Sequence, residues 1–112
     1  MKKLIALAFV AALLAATPAV FAGDFSGTGE IVEMNCYNRN GAKGPGHKSC
    51  AERCFGNGSP IGLLMSDDSV KTLVPANDEV KAALVALAGE QVSVEGTVDG
   101  DTVNVTSASP AG

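Results

Sequence analysis

The sequence predicts a mainly β domain that contains one helix. Three observations support this fold class. Several short segments alternate apolar and polar residues at a period of two, which is typical of half-buried strands. One later segment has apolar residues at the three- and four-residue spacing of a helix that packs on a core. The dipeptide Asp99-Gly100 stands between two alternating segments and predicts a tight β-hairpin.

Three strands are predicted before the helix. Residues 24–34 (DFSGTGEIVEM) form the first, in which Gly27 and Gly29 would let a long strand coil sharply. Residues 60–66 (PIGLLMS) form the second, with apolar side chains at every second position. Polar turn residues then lead into the third strand, residues 70–75 (VKTLVP).

The helix is predicted over residues 76–88. Val80, Leu84 and Leu87 recur at spacings of four and three, so they form one apolar stripe along it. Gly89 is placed to end the helix, because glycine readily adopts the left-handed backbone conformation of a helix terminus.

The last two strands are predicted to form a hairpin. Residues 91–98 and 101–108 flank Asp99-Gly100, a dipeptide that supplies the positive φ angles of a two-residue type I′ turn. This loop would place Val94 opposite Val105 and would gather the valines of both strands on one face.

The order strand, strand, strand, helix, strand, strand resembles the OB-fold, a five-stranded Greek-key barrel with its helix between strands three and four. The resemblance covers most of residues 23–109, the expected single domain, and leaves 110–112 as a tail. It implies that residues 35–58, a Cys/His-rich segment, are an insertion between strands one and two, where such barrels often bind ligands. Because many functions share this fold, the resemblance alone does not assign one.

Residues 1–22 have the features of a secretory signal peptide. Lys2 and Lys3 precede an uncharged apolar run, and small residues lead to an expected cleavage after Ala22. The apolar run is shorter than the roughly 20 residues that a membrane-spanning helix needs. We therefore expect a secreted or periplasmic protein with no membrane association after cleavage.

The expected mature chain is acidic. Removing Lys2 and Lys3 from the eight basic residues leaves six against twelve acidic ones, a net charge of about −6. This charge opposes nucleic-acid binding, which depends on phosphate contacts, and the mature chain also has few aromatic side chains for stacking on bases. Four of the six basic residues nevertheless fall within the cysteine-containing segment: Arg39, Lys43, Lys48 and Arg53.

That segment, from Cys36 to Cys54, holds all three cysteines and the only histidine of the chain. Residues 47–55 permit a short helix, on which His47, Cys50 and Cys54 would share one face at i, i+3 and i+7. Three thiolates and one imidazole match a tetrahedral zinc site, and soft thiolates also suit Cu(I). The sequence therefore predicts a Cys₃His site for zinc or copper whose ligands are Cys36, His47, Cys50 and Cys54.

Four further residues are candidates for accessory roles. The thioethers of Met34 and Met65 are additional soft ligands if the ion is copper. The positive charges of Lys48 and Arg53 would offset the negative charge of several thiolates.

Two other interpretations remain open. A disulfide from Cys36 to Cys50 or Cys54 would staple the glycine-rich segment to a binding module. A Cys50–Cys54 bridge is disfavoured on a helix, because Cβ atoms four residues apart are about 5–6 Å apart, whereas a disulfide needs about 3.5–4.5 Å. Alternatively, one cysteine activated by a nearby cation is a redox thiol that exchanges with a partner.

The metal interpretation accounts for the odd cysteine and for the histidine together. Four protein ligands close a tetrahedron and leave no position for a substrate, so this interpretation predicts a role other than catalysis. We expect metal trafficking, metal sensing or structural stabilisation, with a periplasmic protein as a further candidate partner.

Overall fold

The computed structural model describes residues 23–111, so the predicted signal peptide lies outside the described residues. Within this range the chain forms five strands: β1 (Gly23–Glu33), β2 (Ile61–Leu64), β3 (Val70–Pro75), β4 (Gln91–Asp99) and β5 (Thr102–Pro110). The same range has three α-helices: α1 (Met34–Asn40), α2 (Lys48–Gly56) and α3 (Asp78–Ala86). A 3₁₀ turn, Pro45–His47, immediately precedes α2.

The five strands close into a barrel in the order β1-β2-β3-β5-β4. β1 closes it because residues 23–30 pair with β4 and residues 30–33 pair with β2. Where β1 passes from one partner to the other, a Cβ on Gly29 would lie 2.5 Å from the Leu64 carbonyl oxygen. The prediction of a mainly β, five-stranded fold is confirmed.

The barrel interior is filled from its walls and from two helices. The strands contribute fully buried side chains at alternate positions, as expected for the inward face of a barrel: Ile31, Leu63, Val92, Val94, Val103 and Val105. Leu84 of α3 and Phe55 of α2 are also fully buried and belong to the same core cluster. α2 and α3 are therefore part of the core.

The expectation of one helix is wrong, because the described residues contain three. α3 is the predicted helix between β3 and β4, and the Asn77 side chain caps it by accepting from the Val80 N–H (2.9 Å). The other two lie between β1 and β2, where α2 coincides with the short helix that residues 47–55 permit. α1 forms there because the Glu33 side chain caps its start, and Gly41, in the left-handed conformation (φ 72°), ends it.

The predicted register of the β4–β5 hairpin is also wrong. Val94 lies opposite Ala108 and not opposite Val105, because the loop is one residue later than expected and a β-bulge follows at Glu95/Gly96. The valines still face the core. Near the loop the pairing shifts by two residues, which keeps each side chain on its face. Beyond Gly96 the bulge takes up one further residue by leaving Thr106 unpaired.

The turn itself explains the shift. The two unpaired loop residues are Gly100 and Asp101, and only Gly100 has a positive φ angle (62°). A type II′ turn needs a positive φ only at its first central residue, whereas the predicted type I′ turn at Asp99-Gly100 needs it at both. The glycine thus takes the first loop position and the Asp that precedes it stays in β4.

Candidate metal centre

The insertion between β1 and β2 packs directly on the barrel through α2. Ala51 and Phe55, four residues apart on one face of this helix, are 2% and 0% exposed. Fully burying a phenylalanine side chain contributes about 1.5–3 kcal/mol. The orientation of α2 is therefore set by the core, and the cysteine-bearing side of the helix lies next to the buried face.

Polar contacts attach the insertion at two more points. Lys48 Nζ donates to the Ala86 carbonyl oxygen at the end of α3 and forms an ion pair with Glu90 (2.9 Å). The Gly44 N–H donates to Glu30 Oε2 (2.6 Å). A cation at a helix C-terminus is favourable, so these Lys48 contacts attach the start of α2 to the end of α3.

Glu33, the last residue of β1, is the one buried charged side chain among residues 23–111, with 1% exposure. Its carboxylate accepts from the backbone N–H groups of Asn35 (2.6 Å) and Cys36 (3.3 Å) at the start of α1. Burial of a carboxylate is costly unless hydrogen bonds compensate for the lost water. The two N–H groups at the start of α1 donate two such hydrogen bonds.

Glu33, Cys36 and Cys54 converge. A carboxylate oxygen and the two sulfurs lie within 4.8 Å of one another. In a tetrahedral zinc site with bonds of about 2.0–2.3 Å, ligand atoms are roughly 3.3–3.8 Å apart. This group can therefore hold a metal ion after a small contraction of the side chains.

The surroundings of both sulfurs disfavour the thiolate form. The Cys36 thiol donates a hydrogen bond to the Glu33 carboxylate, and together with burial and the negative charge this raises the pKa of Cys36 to about 11. Burial raises the pKa of Cys54, and the nearby Cys50 and Glu33 act in the same direction. Low thiolate content makes both poor nucleophiles at neutral pH, which weakens the redox interpretation.

Cys50 lies beside this group and outside it. It is exposed on α2, one turn before Cys54. All three cysteines, which fall within the described range, are free thiols. The helical spacing of Cys50 and Cys54 explains why they do not form a bridge with each other.

His47 lies outside the Glu33–Cys36–Cys54 group. Its Nε2 is buried without a hydrogen-bond partner, and the ring borders a narrow cleft together with Ile31, Val32 and Ala51. The predicted i, i+3 relation to Cys50 assumed that His47 is helical, but it ends the 3₁₀ turn and precedes α2 with φ −102° and ψ 2°. Of the four predicted ligands, the structure brings together Cys36 and Cys54, with Cys50 adjacent.

The accessory candidates also lie elsewhere or on the surface. Met34 Sδ accepts from the Thr72 hydroxyl on β3 (3.6 Å). Met65 packs against the core near Phe25. Arg53 is exposed on α2.

Sequence reasoning missed Glu33, although a carboxylate three residues before a cysteine, at the end of a strand, was a usable signal. No helix within residues 23–111 has the length and apolar character needed to cross a lipid bilayer. Comparisons with protein-family models, with curated proteins and with solved structures found no match to this chain.

Proposed function

We propose that this protein binds zinc(II) through Cys36, Cys54 and Glu33, and that it holds the ion for delivery or exchange. The observation that carries the proposal is the convergence of these three side chains from β1, α1 and α2. Two sulfurs and one carboxylate oxygen are all ligand types that zinc accepts.

The donor set favours zinc over the alternative ion, copper(I). Copper(I) prefers soft thiolate and thioether ligands, and a carboxylate suits harder ions. In this structure the third member of the group is the Glu33 carboxylate. The Met34 thioether accepts from Thr72, and Met65 packs against the core near Phe25.

We further propose that the protein is exported and that its barrel is of the OB type. The features of residues 1–22 support cleavage after Ala22 and a periplasmic or secreted location. The strand order β1-β2-β3-β5-β4, the parallel pairing of β3 with β5, and the position of α3 support an OB-type Greek-key barrel. Backbone NMR contacts between antiparallel β3 and β5 would contradict this topology.

The test is native intact mass of the full chain expressed with its N-terminal segment and isolated from the periplasm. We expect a mature chain that begins at Gly23 and one zinc ion per chain. The exposed Cys50 should be alkylated in the loaded protein, and Cys36 and Cys54 only after chelation. A mass lower by two hydrogens, with one alkylatable thiol and no metal, would instead support a Cys36–Cys54 staple.

Variants then assign the ligands. Cys36→Ser and Cys54→Ser should each lower zinc affinity by about 100-fold or more, and Glu33→Gln by about 10–100-fold. His47→Ala is the matched control from the same segment and should leave zinc affinity unchanged, because its ring lies outside the group. Competition with a chromogenic chelator measures each affinity. A loss in His47→Ala equal to that in Cys36→Ser would contradict the proposed ligand set.

A further inference from the structure

The four candidate donors of the site differ in their exposure to solvent. Glu33 is buried (1% exposed), Cys36 and Cys54 are half-buried, and Cys50 is exposed. Cys50 and Cys54 lie one helical turn apart on α2. The sulfurs thus form a short path from the protein surface to the Glu33–Cys36–Cys54 group.

From this arrangement we propose that Cys50 is the exchange ligand through which zinc enters and leaves the site, in transfer with a partner that presents thiols. The inference rests on the proposed zinc binding and adds to it a route and the chemical class of the partner. Cys50 is not required to hold the resident ion, because its sulfur lies outside the group of atoms within 4.8 Å of one another.

The exchange is a sequence of ligand substitutions. On release, the Cys50 thiol gives its proton to water and its sulfur bonds the ion, while the Glu33 carboxylate withdraws. A thiol of the acceptor then loses its proton and binds the ion from the solvent side. A second thiol of the acceptor binds the ion in the same way, and Cys36, Cys54 and finally Cys50 take up protons from water as their bonds to the ion break. No electrons move, and zinc keeps its charge of +2 throughout.

One feature of the site favours this route. The position of α2 is fixed by Ala51, Phe55 and the Lys48 contacts, so Cys50 stays aligned with Cys54. A partner can therefore approach a fixed, exposed sulfur without opening the fold.

The experiment compares zinc-loaded wild type with Cys50→Ser, and with Ser49→Ala as the control at the adjacent exposed position. Equilibrium affinity is measured by chelator competition, and the transfer rate by stopped-flow with dithiothreitol as a dithiol acceptor. Cys50→Ser should slow transfer by about tenfold or more while changing affinity by less than about threefold. Ser49→Ala should change neither quantity.

Two results would overturn the inference. An unchanged transfer rate in Cys50→Ser shows that this thiol is not on the route. A loss of affinity as large as that of Cys54→Ser shows that Cys50 is a resident ligand. Alkylation of Cys50 in the loaded wild type gives an independent check that involves no refolding, and it should slow transfer in the same way. Absence of zinc binding by the wild type would instead refute the proposed function itself.

Discussion

Glu33 connects the barrel wall to the thiols because its carboxylate makes two kinds of contact. It caps the backbone N–H groups at the start of α1, and it accepts a hydrogen bond from the Cys36 thiol. An ordinary helix cap is a shorter side chain such as Ser, Asp or Asn. The longer Glu side chain reaches the cap from the end of β1 and also places its charge beside the sulfur.

The pKa of Cys36 leads to a prediction about its reactivity in the metal-free protein. Thiolate is the nucleophile, and a pKa raised to about 11 means that the thiol dominates at pH 8. Alkylation of Cys36 by iodoacetamide should be slower at pH 8 than that of free cysteine, and it should accelerate about tenfold per pH unit until about pH 11. Peptide-resolved mass spectrometry measures the rate at each pH.

Glu33→Gln is the matched variant for this prediction. The amide keeps the shape of the side chain but removes the negative charge that disfavours the thiolate, so the pKa of Cys36 should fall toward its ordinary value. Alkylation at pH 8 should then become faster than in the wild type. If Cys36 in the wild type reacts as quickly as free cysteine at pH 8, the hydrogen bond to Glu33 does not control its protonation.

At this scale the sequence predicted that Cys36 and Cys54 could meet, and the structure brings their sulfurs together. Cys36 follows the end of β1 by three residues, and Cys54 lies on a helix that packs on the barrel. His47 was misplaced because a change from helix to 3₁₀ turn at one residue redirects its side chain. Glu33 was missed because the apolar pattern of a strand predicts which apolar residues are buried and not which carboxylate will cap the next helix; the usable signal was its position three residues before Cys36.

At the scale of elements, the insertion and the barrel approach each other closely at two glycines. Gly89 follows α3 with φ 76°, and a Cβ there would lie 2.5 Å from the Gly44 carbonyl oxygen. Gly44 belongs to the loop before α2, and Glu30 binds its N–H. A side chain at Gly89 would therefore separate the insertion from the barrel.

We predict that Gly89→Ala destabilises the fold more than Gly58→Ala. Both glycines have positive φ angles, but a Cβ on Gly58 meets no atom within 4 Å. Gly58→Ala should cost about 1–2 kcal/mol from backbone strain alone, and Gly89→Ala about 1–3 kcal/mol more from the steric contact. Urea denaturation measures both free energies of unfolding. Equal losses in the two variants would show that the insertion is not held closely at Gly44.

The strands and α3 were predictable because period-two and helical apolar patterns report directly on burial. The hairpin register was not, since a type I′ and a type II′ turn can both use the single Gly in Asp-Gly-Asp, and the bulge follows from packing in the closed barrel. At Gly96 a Cβ would collide with the Asn104 carbonyl oxygen, which shows how closely β5 approaches β4 there. Such close approaches depend on the closure of the barrel, and in the sequence only a glycine indicates them.

In the whole molecule, the insertion and the barrel share one hydrophobic core. Phe55 from α2 lies in the same buried cluster as Leu84 from α3 and Val94 from β4. Because these contacts cross between the insertion and the barrel, we expect both to unfold in one cooperative transition. The proposed ligands come from β1, α1 and α2, so a bound ion would link the barrel wall to the insertion.

Zinc should therefore stabilise the entire fold and not the insertion alone. At a free zinc concentration about 100 times the dissociation constant, binding to the native state adds about 2.7 kcal/mol to the free energy of unfolding. Urea denaturation followed by far-UV circular dichroism, which reports on the barrel strands, should show this increase under reducing conditions. Cys54→Ser, measured in the same zinc buffer, should show little of it, whereas His47→Ala should retain it. If the barrel signal does not change with zinc while the insertion alone gains protection in hydrogen exchange, the two parts unfold separately and the shared core does not couple them.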